Sequence, residues 1–266
     1  MGILNAIYWN VSPEIFSLGP FSIRYYGLLF AGGFMISFYM VQKFYKDAGL
    51  DPVEVDKLTI YTVIGAVLGA RFGHVFFYES DYYLQNPSEI LKVWHGGLAS
   101  HGGVIGIVIS TWLYSRKYKR PYLWVLDRLV VPSALTGSLI RLGNLMNSEI
   151  YGHETSLPWG FVFLQNGETV PKHPTQIYES LAYLIIFVFL YYLYKRNGGK
   201  IHRGMLVGWF LVTIFGFRFF IELIKNNQVA KEASMTFNIG QWLSIPLIVF
   251  GAILLFYSKK QKIDVF

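Results

Sequence analysis

Residues 138–152, SLIRLGNLMNSEIYG, close an apolar run yet carry an arginine, two asparagines, a glutamate and a tyrosine. Arg141, Asn144, Asn147 and Glu149 recur within three turns of chain. A guanidinium is a planar fork of donors that matches a phosphate and keeps its charge when buried. Elsewhere the apolar stretches hold Arg24, Arg71 and Arg218, the carboxylates Glu179 and Glu222, Gln176, Tyr26, and the histidines His74, His101 and His173. Carboxylates beside arginines can pair with those that no substrate uses. His101 and His173 suit proton transfer near neutral pH. His95 and His101 are six residues apart, on different faces of a helix, so they share no metal. The His74/Glu79 spacing is too short a pattern to identify an acyltransferase. There is no cysteine, hence no disulfide, no thiolate metal site and no cysteine nucleophile of the chain's own.

The elements that must position these groups follow from composition. Hydrophobic residues are 53% and charged residues 15%, against about a quarter charged in soluble domains, and mean hydropathy is +0.39. That is an integral membrane protein. A helix needs about 20 apolar residues to cross a bilayer, and seven stretches qualify: 22–42, 58–78, 97–115, 121–142, 174–194, 204–224 and 240–258. The third is the weakest, since it opens with HGGLASHGG. The expected fold is all-α and polytopic, one membrane domain over residues 1–266 with a small extracytoplasmic head loop at 144–173. Gly65, Gly69 and Gly73, and again Gly102 and Gly106, recur every four residues, which lets helices approach closely in lipid. The N-terminus lacks the basic region of a secretory signal peptide, and Ala6 stands where myristoylation wants Ser or Thr.

Loops 43–57, 115–120 and 195–203 and the tail from 259 hold fourteen Lys and Arg; the N-terminal segment and loops 79–96, 143–173 and 225–239 hold four. The positive-inside rule puts the first set in the cytoplasm, the N-terminus outside and the C-terminus inside. The basic excess thus sets topology rather than nucleic-acid binding. In that orientation Tyr26, Arg71, His101, Arg141, Glu149, Arg218 and Glu222 all fall toward the outer leaflet, and only Asp127 and Arg128 toward the inner half. Intramembrane ionisable groups are costly and usually functional, so their common depth points to a polar, arginine-rich cavity, and the abundant phosphate at that depth belongs to phospholipid. Each residue also has a structural reading. Arg24 can snorkel, Arg71 and Arg218 can pair with glutamates, and Asn144 and Asn147 can serve a helix end beside Gly143.

Taken in order, SIRYYGLLF, GARFGHVFFY, HGGLASHGGVIG, IRLGNLMNSEIYG, KHPTQIYES, GFRFFIELIK and NIGQWLSIP resemble the bacterial prolipoprotein diacylglyceryl transferases over nearly the whole chain. The resemblance implies an enzyme of the bacterial cytoplasmic membrane with an outward-facing site and no metal or cofactor. It implies transfer of the diacylglyceryl group of phosphatidylglycerol to the lipobox cysteine of a prolipoprotein signal peptide, releasing glycerol 1-phosphate. On that resemblance Arg141 binds the lipid phosphate with Asn144, Glu149 and Gly152 beside it, His101 is the essential histidine, Tyr26 the span-one tyrosine and Arg218 the span-six arginine. Asn144 and Asn147 would satisfy glycerol hydroxyls or the turn itself, and Arg71 and Glu222 would complete the substrate-binding set. His101 is one candidate for the base that takes the thiol proton. The chain departs from the family pattern at Lys225, where a second arginine often stands, at Ile214, in place of an aromatic, and at His95, in place of an acid. Another headgroup transferase, a transporter of anionic solutes and a non-catalytic lipoprotein-binding relative are the competing readings. A CDP-alcohol phosphatidyltransferase lacks support because Asp127 stands without the clustered aspartates that chemistry needs.

Overall fold

A computed structural model describes residues 6–19, 21–226, 235–260 and 263. The first five residues, where neither signal peptide nor myristoylation site is expected, and parts of the 225–239 loop and of the tail lie outside it. The chain divides into two compact units, residues 1–40 with 127–265, and residues 41–126. Strand β1 (Ile7–Trp9) is followed by β2 (Glu14–Leu18) and β3 (Phe21–Arg24). Eight α-helices are described: α1 (Tyr25–Asp47), α2 (Val53–Phe77), the short α3 (Ser80–Gln85), α4 (Ser100–Lys117), α5 (Tyr122–Met146), α6 (Thr175–Arg196), α7 (Met205–Ile221) and α8 (Ile239–Ser258). Strand β4 (Phe161–Phe163) lies between α5 and α6.

Five of these helices, α1, α2, α5, α6 and α8, are long and apolar enough to cross a membrane, and α7 is a shorter apolar helix. The fold is therefore that of a mostly helical membrane protein, but it is not purely α. Helix α1 starts at Tyr25 rather than 22, because β2 and β3 pair antiparallel ahead of it. Arg24 ends that hairpin and donates to Glu14 at 3.1 Å, a surface pair rather than a snorkelling side chain. Helix α4 falls below the apolarity of a span because it opens with Ser-His-Gly-Gly.

In the first unit, polar bonds join the helices where small side chains permit. Ser37 on α1 and Thr136 on α5 meet at 2.8 Å, and Ser138 on α5 meets Ser180 on α6 at 2.8 Å. Gly208 and Gly251 let α7 and α8 touch through backbone. Asp127, fully buried, accepts the backbone N–H groups of Gly204 at 2.7 Å and Val207 at 2.9 Å. It thus satisfies the free donors that open α7, the ordinary work of a helix cap performed from another helix. In the second unit, the glycine rows act as expected of close helix contacts: a Cβ on Gly69 or Gly106 would strike the opposite backbone.

The segment after α5 is an ordered platform. Strand β1 runs parallel to β4. Leu145, Phe161 and Phe163 form its core with Trp9, Tyr151 and Ile177 packed against them. The Trp9 indole donates to Leu145 O at 3.1 Å.

Candidate functional site

Of the residues expected to act together, Tyr26, Arg141, Asn144, Asn147, Glu149, Gly152, Arg218 and Glu222 belong to the first unit. Helix α5 ends at Met146, and the chain turns back through Ser148 (φ 52°) and Ile150 (φ 60°). Left-handed backbone is costly, most of all for a β-branched residue. The turn persists because three successive carbonyls are pinned by side chains. Asn166 Nδ2 donates to Ser148 O at 2.6 Å, Gln176 Nε2 to Glu149 O at 2.7 Å, and Thr175 Oγ1 to Ile150 O at 2.8 Å. Strain held in this way by over-determined surroundings is typical of functional sites.

The turn aims Glu149 back at α5. Its Oε1 accepts from Asn144 Nδ2 at 2.7 Å and Asn147 Nδ2 at 3.2 Å. Arg141 Nη1 donates to Asn144 Oδ1 at 3.3 Å. Asn144 therefore links the guanidinium to the glutamate, and the motif's spacing is that of a closed hydrogen-bond relay. Tyr26 is seated beside it by a missing side chain: a Cβ on Gly143 would stand 2.7 Å from Tyr26 Cδ2.

The other side of Arg141 is held by Glu179, wholly buried on α6. Arg141 Nε lies 3.3 Å from Glu179 Oε2, although that oxygen accepts no hydrogen bond among the described residues; the contact is an ion pair without a directed N–H. Glu179 Oε1 is 3.5 Å from Lys225 Nζ. Lys225 Nζ is in turn 3.2 Å from Glu222 Oε1, and the same oxygen lies 3.6 Å from Arg218 Nε. Asn238 Nδ2 donates to Glu222 Oε2 at 3.1 Å. Gly240 leaves the room for that carboxylate, since a Cβ there would stand 2.7 Å from Glu222 Cδ. Tyr183 interacts electrostatically with both Arg141 and Arg218. The result is one continuous set of three cations, Arg141, Lys225 and Arg218, and three carboxylates, Glu149, Glu179 and Glu222. Both arginines meet their carboxylate through Nε, the flank of the guanidinium rather than its forked end.

Three positions singled out in the sequence are enclosed by the chain itself. Lys225, a departure from the family pattern where a second arginine often stands, has its ammonium buried between two carboxylates. Glu222, expected among the substrate-binding residues, is buried and occupied by Lys225, Arg218 and Asn238. Gly152, also in that set, packs where a Cβ would collide with Ile224 O and stand 2.9 Å from His173 Cβ. Glu179, which joins Arg141 to Lys225, did not figure in that set; its signal was a carboxylate inside an apolar helix, read as a partner for an arginine. His173 precedes α6, and its backbone binds Gly152 N and His153 O. Burial, then the charge of His153, holds its imidazole below the ordinary histidine value.

Arg71 and His101 lie in the second unit. Arg71 is buried, and its nitrogens donate to the carbonyls of Ile90 (2.8 Å), Gly96 (2.6 Å), Gly97 (3.2 Å) and Glu89 (2.5 Å), with Tyr83 stacked 4.8 Å from the guanidinium. Those bonds fold the 89–97 loop around the guanidinium. His101 is exposed in the first turn of α4. His95 pairs with Glu89 at 3.1 Å, which accounts for a histidine at that position.

The family model described as prolipoprotein diacylglyceryl transferase matches residues 13–257. The phosphatidylglycerol–prolipoprotein diacylglyceryl transferase of Tolumonas auensis is 45% identical over 257 residues, covering 96% of this chain and 99% of that protein. The protein of the same name from Chloroherpeton thalassium is 47% identical over 257 residues, covering 96% and 95%. That from Cupriavidus metallidurans is 34% identical, covering 94% of each.

Proposed function

The chain belongs to the prolipoprotein diacylglyceryl transferase family, and on that premise we propose that it moves the diacylglyceryl group of phosphatidylglycerol onto the lipobox cysteine sulfur of a prolipoprotein. The observation that carries the reading is the guanidinium of Arg141. Glu179 holds it by its flank and Asn144 ties it to Glu149. Its charge is thereby fixed in place before any ligand arrives, which is what electrostatic preorganisation requires.

In the reaction the cysteine thiolate attacks the lipid carbon that bears the phosphate ester. A carbon–sulfur bond forms, the carbon–oxygen bond breaks, and glycerol 1-phosphate leaves with the electron pair. Arg141 and Arg218 neutralise the charge growing on that phosphate. Asn144 and Asn147 orient Glu149, and Tyr26 packs against the same helix at Gly143. Glu222 and Lys225 position Arg218 rather than touch substrate, and Gly152 contributes by its close packing. The thiol must lose its proton to become the nucleophile, and His101 is assigned that proton by its side-chain type. The enzyme needs no cysteine because the substrate supplies the sulfur, and it needs no metal or cofactor for this displacement.

The finer topology belongs to the same proposal. Helices α1, α2 and α4 to α8 make seven passes of the bacterial cytoplasmic membrane, with the N-terminus outside and the C-terminus in the cytoplasm. Residues 144–173 form the outer head that guides the exported signal peptide. Replacing Arg141 by Ala is expected to abolish transfer while the protein still inserts; transfer at the parent rate would refute the role given to Arg141.

A further inference from the structure

Within the second unit, α2 and α4 leave an apolar cavity of about 390 Å³ on their outer face, in the roughly 300–1,000 Å³ range of ligand pockets. Its floor is the glycine contact itself, Gly65, Gly69 and Gly106. Leu68 and Phe72 wall it from α2, Ile109 and Leu113 from α4, and Tyr61 closes one end. The hydroxyl of Ser110 is turned away, donating to Ile107 O at 3.1 Å. The walls are 40% to 53% exposed, so the chain does not cover its own groove.

The Tyr61 end is cationic. Lys117 Nζ lies 6.0 Å from the Tyr61 ring centre and 5.8 Å from that of Tyr118, and Lys57 Nζ lies 5.3 Å from the Tyr118 centre. Glu54, one turn before Lys57, is bound by Arg120 in a two-point pair, Nε to Oε2 at 3.0 Å and Nη2 to Oε1 at 2.5 Å. Among the described residues no carboxylate lies within ion-pair distance of Lys57 or Lys117. Two like charges thus lie over one ring, at the Tyr61 end of an apolar trough. Aromatic faces attract an ammonium without neutralising it.

We propose that this groove binds one anionic phospholipid, its phosphate between Lys57 and Lys117 and an acyl chain laid along the glycine floor. An apolar trough with a cationic mouth matches a molecule that has an apolar tail and an anionic head. By the positive-inside orientation the mouth faces the cytoplasmic leaflet, where basic segments attract acidic lipids. The site lies outside the transfer chemistry and requires no turnover.

The test places the full chain in nanodiscs containing either phosphatidylglycerol or phosphatidylcholine, each with a diazirine at mid-acyl chain, and maps photo-cross-links by mass spectrometry. Labelling of the 64–72 and 106–113 segments is expected to be about fivefold or more higher with phosphatidylglycerol, given attraction by two lysines. In the double variant Lys57→Gln/Lys117→Gln that ratio is expected to fall to about one while transfer activity is kept. Equal labelling by the two lipids would mean ordinary boundary lipid and overturn the proposal. A preference that survives the double substitution would overturn it as well. Labelling by neither lipid would mean that a second copy of the chain covers the groove, and would equally overturn it.

Discussion

Glu179→Gln is the sharpest perturbation of the charge network. The change keeps the shape of a side chain that is 0% exposed and removes its charge. Arg141 then loses its carboxylate at 3.3 Å, and Lys225 loses the one at 3.5 Å while keeping Glu222. At an effective dielectric constant near 20, each of these contacts has a Coulomb energy of about 5 kcal/mol, most of it offset by desolvation. Removing one member of a buried pair leaves the other charge uncompensated, a net loss of about 3–5 kcal/mol. Lys225→Met leaves each carboxylate one arginine, so it is expected to cost less, about 1–3 kcal/mol. The double variant should be more stable than the sum of the two losses implies, by about 1 kcal/mol or more, because both single changes remove the same Glu179–Lys225 contact. Denaturant unfolding in detergent micelles measures all four corners of the cycle. Losses that add within about 0.5 kcal/mol would refute the coupling of Glu179 to Lys225.

Gly143→Ala is expected to displace Tyr26, whose Cα would stand 3.2 Å from the new Cβ, costing about 1–3 kcal/mol and most of the transfer activity; a fully active variant would remove Tyr26 from the site. Gln176→Leu strips the Glu149 carbonyl of its donor at about 1–3 kcal/mol, and limited proteolysis should then cut at 148–152, where unchanged resistance would argue against the pinned turn. His173 has a folded pKa below the usual 6.5. On acidification the unfolded chain takes up that proton first, so stability is full above about pH 6.5 and falls as pH drops toward the folded value. Thermal unfolding against pH should show a shallower acid loss in His173→Gln, and an identical slope would contradict the assignment. His101→Gln is expected to slow the thiol chemistry more than phosphatidylglycerol binding, and equal loss of both would remove it as the base.

Much of this was legible from sequence because bilayer physics is stringent. Twenty apolar residues mark a helix, glycines four apart mark a close contact, and an arginine in an apolar run asks for a partner. Each of the seven stretches holds a helix, although α4 and α7 are less apolar or shorter than a single pass demands. The N-terminal hairpin and the β1–β4 pairing were not legible, because short strands of alternating aromatics carry little periodic signal, and β1 meets β4 across some 150 residues. Within the site, Arg141, Asn144 and Glu149 could be read as a local motif because their contacts span only three and five residues. The fate of Lys225 could not, since its partner Glu179 comes from another helix 46 residues away and a lysine two turns after an arginine looks the same whether it faces phosphate or carboxylate. Arg71 was ambiguous for the same reason: only the folded loop shows four carbonyls converging on it.

The central claim is transfer to a thiol. It is tested most directly by incubating the purified protein with phosphatidylglycerol and a lipobox peptide, and measuring glycerol phosphate release with the peptide's cysteine intact or changed to serine. Release that requires the cysteine, matched mole for mole by lipidated peptide, is the expected result. Release that is indifferent to the thiol would make the chain a lipid hydrolase or another headgroup enzyme and contradict the account.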